Sequence, residues 1–178
     1  MTWREIQRLR SVAPVVGILS TVDVPVGEAM IWHTAVAWHD HLRTLGALRI
    51  ANFWTRSKTG MHIEPGAVFF FKRAGSGSIV GYGIFQRKLV MAIGETWRRY
   101  GQANGTATLD EQIMRAQEIL GLQNAGPDTK IGCIELEDVE FFPEDRWVRL
   151  REFGISDNIT FKKIPATVAN EIVGQLRG

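Results

Sequence analysis

The residues with chemistry to offer form an ordered series. Asn52-Phe53-Trp54 is followed by Pro65-Gly66, then by Phe69-Phe70-Phe71-Lys72 and Gly81-Tyr82-Gly83. Flat rings, glycines that admit a close backbone, and a cation within one short stretch suit the holding of an unstacked nucleobase better than a proton transfer. Stacking on an aromatic ring contributes roughly 1–3 kcal/mol per base and needs no sequence-specific geometry. Asn52 carries both a donor and an acceptor for a base edge. Arg56, Lys58, Arg87, Lys88, Arg98 and Arg99, with Lys72, are candidates to meet phosphates, and the glycines around Tyr82 leave room for a backbone to approach. The competing expectation is burial. Phe69 and Phe71 alternate with Phe70, so one side of that strand is core, whereas polar or glycine neighbours place Trp54 and Tyr82 near strand ends.

Charge distribution supports the same stretch. Lys and Arg total 21 against 19 Asp and Glu, a balance too even to argue for a polyanion. Locally the balance breaks: positions 49–109 hold nine basic and two acidic residues, and positions 110–154 hold eleven acidic and five basic ones. One face is thereby expected to meet phosphate and another to turn away.

Other chemistries find less support. His39-Asp40-His41, with His33 nearby, is the one cluster that resembles a ligand set, but on a helix His39 and His41 are two apart and face different ways. No metal is expected. Gly75, Gly77 and Gly81 miss the dinucleotide spacing, and no Gly-Lys-Ser/Thr sequence for phosphates exists, so no cofactor is expected. Cys133 is the sole cysteine, which excludes a disulfide framework, and in Ile131-Gly132-Cys133-Ile134 it reads as a small buried thiol. No serine occupies a nucleophile elbow. The acids from Glu135 to Asp145 alternate with apolar residues and read as the wet face of a strand; a small metal-dependent nuclease using Glu135 or Glu137 is the weaker alternative. Binding without catalysis is the expectation. No apolar stretch is long enough for a membrane span and Met1-Thr2-Trp3-Arg4-Glu5 lacks a signal-peptide layout, which makes the cytoplasm the expected compartment.

These residues need a scaffold. With 178 residues, 45% of them hydrophobic, the chain is long enough for a proper core, and a single domain over 1–178 is expected. Trp3, Ile6 and Leu9 predict a short helix or tail over 2–10, and an apolar run predicts a strand over 15–22. Ile31, Ala35, Trp38, Leu42 and Leu45 predict an amphipathic helix over 30–45, ended by Gly46. A strand over 47–55, a turn-rich 57–66 and a hairpin of strands 67–72 and 79–87 follow. Helices are predicted over 93–102 and 109–120, then a strand over 130–142 with a bulge at Asp138. Short strands over 147–150 and 158–162 and a helix over 166–176 complete the order. Strands interrupted by helices with a hairpin at the centre predict an α+β domain on a curved, mainly antiparallel sheet.

The motifs also resemble a known family. Asn52-Phe53-Trp54, Pro65-Gly66 leading to Phe69-Phe70-Phe71-Lys72, Val80-Gly81-Tyr82-Gly83, Trp97 with Tyr100-Gly101-Gln102-Ala103-Asn104-Gly105, Ile131-Gly132-Cys133-Ile134 and Phe141-Phe142-Pro143-Glu144-Asp145-Arg146-Trp147 recur in this order. Together they resemble the amino-terminal specificity domain of bacterial HNH-type restriction endonucleases, a PUA-like domain akin to EVE domains. The resemblance spans roughly 49–158, leaving 1–48 divergent. It implies a PUA-like curved, open β-barrel with flanking helices that reads modified double-stranded DNA. The modified base would be a methylated or hydroxymethylated cytosine, flipped into an aromatic cage. Carried over residue by residue, Asn52, Phe53 and Trp54 form the pocket wall, Lys72 and Tyr82 the pocket or its rim, with Trp97 and Trp147 further candidates. The family's nuclease domain has no counterpart in this sequence, so catalysis lies in a partner subunit or domain, or is absent. An RNA-binding PUA-like protein is the alternative within the same superfamily.

Overall fold

The computed structural model describes residues 27–59 and 61–178. The helix or tail expected over 2–10 and the strand over 15–22 lie outside the described residues. In chain order the elements are β1 (Ala29–Thr34), α1 (Val36–Thr44), β2 (Leu48–Thr55), β3 (Val68–Arg73), β4 (Ser78–Ala92), α2 (Ile93–Tyr100), α3 (Leu109–Leu120), β5 (Lys130–Phe141), β6 (Val148–Arg149), β7 (Phe161–Ile164) and α4 (Ala166–Arg177). The strands form one sheet in the order β2-β5-β4-β3-β1-β7, with β6 alongside β4. Among the described residues all its pairings are antiparallel except β1 with β3.

The strands are apolar on both faces because both faces are covered. Phe69 and Phe71 of β3 join Met30, Phe53, Val80, Ile134 and Leu136 in one core. Val68 and Phe70 of the same strand point the other way, to a second core closed by Ala169, Ile172 and Leu176 of α4. The triple phenylalanine therefore serves two interiors at once. Curvature comes from bulges. Opposite Tyr82–Ile84, β5 carries an extra residue where Asp138 turns to φ 47, the position the sequence marked.

The helix expected over 30–45 is corrected. Its first third is β1, and the helix begins only at Val36. Met30-Ile31-Trp32-His33-Thr34 is rich in aromatic and branched residues and finds partners on both sides, Met30 lying opposite Phe69 of β3 and Lys163 of β7. The spacing of Ile31, Ala35 and Trp38 satisfied a helix, but two flanking strands outweighed it. By contrast, α3 occupies the residues its pattern predicted. Thr108 accepts from the Glu111 amide at 3.2 Å, the Glu111 carboxylate accepts from the Ala107 amide at 2.8 Å, and Gly121 closes the helix at φ 62.

Gly132 fixes how tightly the end of β2 lies on β5. A Cβ there would stand 2.1 Å from the Ser57 carbonyl oxygen. Gly132→Ala is expected to cost about 1–3 kcal/mol through overpacking, measured as a lower urea midpoint with an unchanged slope.

Candidate functional site

Among the described residues β2 and β7 are the two ends of the sheet, and no strand pairing joins them. The barrel is open along this seam, and rings fill it. Trp32 of β1 stacks on Phe69 (5.8 Å, 19°) and on Phe161 (5.4 Å, 26°), and meets Phe53 edge-on at 6.1 Å. Phe161 is 60% exposed, so the outer face of this stack is open to solvent. Two adjoining cavities share Trp32, Thr55, Arg56 and Thr160. One, of about 450 Å³, runs inward past Trp38, Phe53 and Trp54; the other, of about 600 Å³, runs along Met30 and Met61 to Lys88. This volume suits a small planar ligand, and the walls are mostly apolar.

Cations stand at the mouth. Arg56 is exposed at the end of β2, with Lys58 exposed just beyond it. Lys88 reaches the Ser57 hydroxyl at 3.4 Å, and partial burial lowers its ammonium pKa. An anion brought to the seam would relieve that desolvation.

The structure gathers some of the residues singled out in sequence and separates others. Phe53 and Trp54 border the inner cavity, although only 7% and 8% exposed. The Trp54 indole N–H donates to the Asn104 carbonyl at 2.6 Å. Asn52 is fully buried and gives its amide to the Asn104 side chain at 2.9 Å, so it anchors the interior instead of reading a base edge. Lys72 lies across β3 from the aromatic stack, its ammonium donating to the Ile159 carbonyl at 2.8 Å. Tyr82 belongs to the second core, where its hydroxyl donates to Glu140 and accepts from Arg177, and burial with the Glu140 charge raises its pKa. Trp97 is half-buried on α2 and Trp147 lies near β6, under the Arg73 guanidinium at 5.6 Å. Neither borders the seam.

Trp32 and Phe161 carry the outer part of the site, and sequence reasoning passed over both. Their signal was present. The run 30–34 has the strand composition that a helical reading suppressed, and Phe161 sits in a strand expected three residues early.

Two of the expected phosphate ligands are engaged elsewhere. Arg87 donates to Glu135 at 2.8 Å, and Arg99 and the Tyr100 hydroxyl both donate to its other oxygen at 2.6 Å. Arg98 is exposed on α2. Glu135 is 4% exposed, which corrects its reading as part of a wet face. The alternation was right in period, but α2 covers that position. Burial pushes the Glu135 pKa up, yet the hydrogen bonds from Tyr100 and Arg87 and the charge of Arg99 outweigh it and hold the carboxyl below its ordinary range. Both oxygens are taken, which leaves them poorly placed to bind a metal. Among the described residues, no group of three or more His, Cys, Asp and Glu is arranged to hold one. His39 is buried against Asp40, its Nδ1 2.8 Å from the carboxylate. Cys133 is fully buried, and desolvation pushes its thiol up to about 11. No described helix is long and apolar enough to cross a membrane.

In fold, the chain is similar to an ASCH protein from Zymomonas mobilis. Its crystal structure aligns over 82% of this chain and 94% of that one, at 9% identity and a TM-score of 0.55. A Ser-to-Ala variant of that protein gives 10% identity, the same coverage and 0.56. A Tyr-to-Phe variant gives 8%, 82% and 96%, and 0.55. No protein-family model matches the chain, and no curated protein matches it. The fold is α+β, a PUA-like open barrel, mostly antiparallel, with flanking helices.

Trp54→Ala is expected to lose about 3–5 kcal/mol of stability, because it removes a buried indole together with its hydrogen bond; thermal unfolding measures this. Glu135→Gln tests the carboxylate cluster. A depressed pKa stabilises the fold above the unfolded carboxylate pKa and ceases to do so as pH falls through the folded value. The urea midpoints of wild type and variant should therefore differ most near pH 7 and draw together only as the pH falls below the unfolded glutamate value of about 4.3 and through the lower folded one.

Proposed function

We propose that this chain is a nucleic-acid-binding module that takes one unstacked base into the aromatic seam, with Trp32 as the stacking platform. The observation that carries this reading is the solvent-open stack of Trp32 and Phe161 over a hollow walled by Phe53, Trp38 and Trp54, with Arg56 and Lys88 at its mouth. A base enters by displacing Phe161 from the Trp32 face, exchanging one ring contact for another, while the cations meet the flanking phosphates. PUA-like architecture, and the resemblance of the motif series to modification-dependent specificity domains, support the same reading.

The target we infer is a methylated or hydroxymethylated cytosine in duplex DNA. The inner walls offer indole and phenyl edges and few polar groups, Asn52 being sealed behind Asn104. Such a lining favours an added methyl through contact area instead of a hydrogen-bond code. The module acts by binding, and cleavage belongs to a nuclease partner or domain.

Matched duplexes carrying unmodified, methylated or hydroxymethylated cytosine, with a structured RNA in parallel, test the reading. Trp32→Ala is expected to lose about 1–3 kcal/mol of affinity for the preferred target while keeping its salt dependence. Arg56→Ala and Lys88→Ala should each reduce the slope of log affinity against log salt by roughly one unit. Tighter binding to RNA than to every duplex would transfer the site to RNA. Unchanged affinity in Trp32→Ala would remove the base from the seam.

A further inference from the structure

A second hollow, polar where the seam is apolar, lies around the ends of β1 and β3. It measures about 410 Å³ and meets the aromatic groove at His33 and Thr160, which line both. Its floor is Lys72, 3% exposed. Among the described residues the Lys72 ammonium gives one hydrogen bond, to the Ile159 carbonyl. Among the described residues no carboxylate comes within ion-pairing distance of it. An ammonium taken from water without an anion is costly, and it has two further protons to donate. Desolvation accordingly lowers the Lys72 pKa, and the nearest charge that opposes this, Asp157, sits on the exposed rim. The glycine turn at Gly77 (φ 63) and the Asn158 side chain complete the wall. Small size, polar walls and a buried unpaired cation fit a tetrahedral oxyanion.

We propose that this cavity binds a phosphate group, the one attached to the nucleotide whose base lies on Trp32. The proposal rests on the reading of the seam for its nucleotide, but not for its phosphate. Lys72, placed at the base pocket or its rim by the family resemblance and among the phosphate candidates by its charge, is here an anion ligand. Arg56 and Lys88 hold the strand at one end of the groove, and Lys72 holds it at the other. A base between two phosphate sites is fixed in direction as well as in position.

The test compares inorganic phosphate, cytidine and cytidine monophosphate against wild type, Lys72→Met and Asn158→Asp. The second variant places a negative charge on an exposed wall and leaves the buried lysine intact. Wild type should be thermally stabilised by millimolar inorganic phosphate, and both variants should lose that stabilisation. The monophosphate should bind wild type at least about tenfold more tightly than the nucleoside, and the variants should bind the two alike. Trp32→Ala should weaken both ligands equally and keep the phosphate effect. If phosphate protects wild type while cytidine binds nowhere, the anion site stands and its link to a base on Trp32 fails. If phosphate gives no protection, or if Asn158→Asp retains full preference for the monophosphate, the cavity is not a phosphate site.

Discussion

The structure depends on one buried polar residue, Asn104. Its side-chain amide donates to the carbonyls of Thr96 and Gly101, its side-chain oxygen accepts from Asn52, and its own carbonyl accepts from the Trp54 indole. The Trp38 indole then donates to the Asn52 carbonyl at 3.2 Å, and Gln112 of α3 donates to the Thr96 hydroxyl. Strand β2, helices α1, α2 and α3, and the turn after α2 are thereby tied to a single point by direct hydrogen bonds. Each of these buried bonds is costly to lose, and the shared partners couple them to one another. This hub holds Trp38 and Trp54 as rigid walls, and it explains why the inner end of the seam is preformed while its outer end, at Phe161, stays open.

Much of the scaffold was legible because local pattern and tertiary demand agreed. In α3 the cap at Thr108 and the stop at Gly121 bracket an amphipathic run, and in β5 the sequence marks its own bulge at Asp138. The hairpin of β3 and β4 follows from its glycine turn. The failures share a cause. At 30–34 a short apolar run fitted either period, and the decision came from β3 and β7, strands far away in sequence. Glu135 looked solvated because alternation reports a face, not what covers it. Asn52 looked like a reader of base edges because an exposed amide and a buried network amide are the same residue type; only the position of Asn104 distinguishes them.

The candidate site was legible in kind but not in detail. Aromatic residues near cations were visible, and Phe53, Trp54, Arg56 and Lys88 do converge. Tyr82 stood in the same motif series and yet faces the second core, because successive residues of a strand point to opposite sides of the sheet. Motif order along the chain therefore picked out strands that border the seam and mixed their two faces. The register supplies what order could not: Trp32 lies opposite Phe71 at the first core, and His33 opposite Lys72 at the polar hollow.

The lone parallel pair has a consequence for how the molecule assembles. Strand β1 precedes both its neighbours in the chain: β3 is reached only after α1 and β2, and β7 only after the other described strands. Non-local pairing of this kind pays its loop entropy before it gains contacts, and it forms late. Until β7 arrives, Trp32 and the free edge of β1 stand uncovered on a nascent chain, where a second copy could pair with them. The aromatic groove is thus the last part of the barrel to gain its strand pairing.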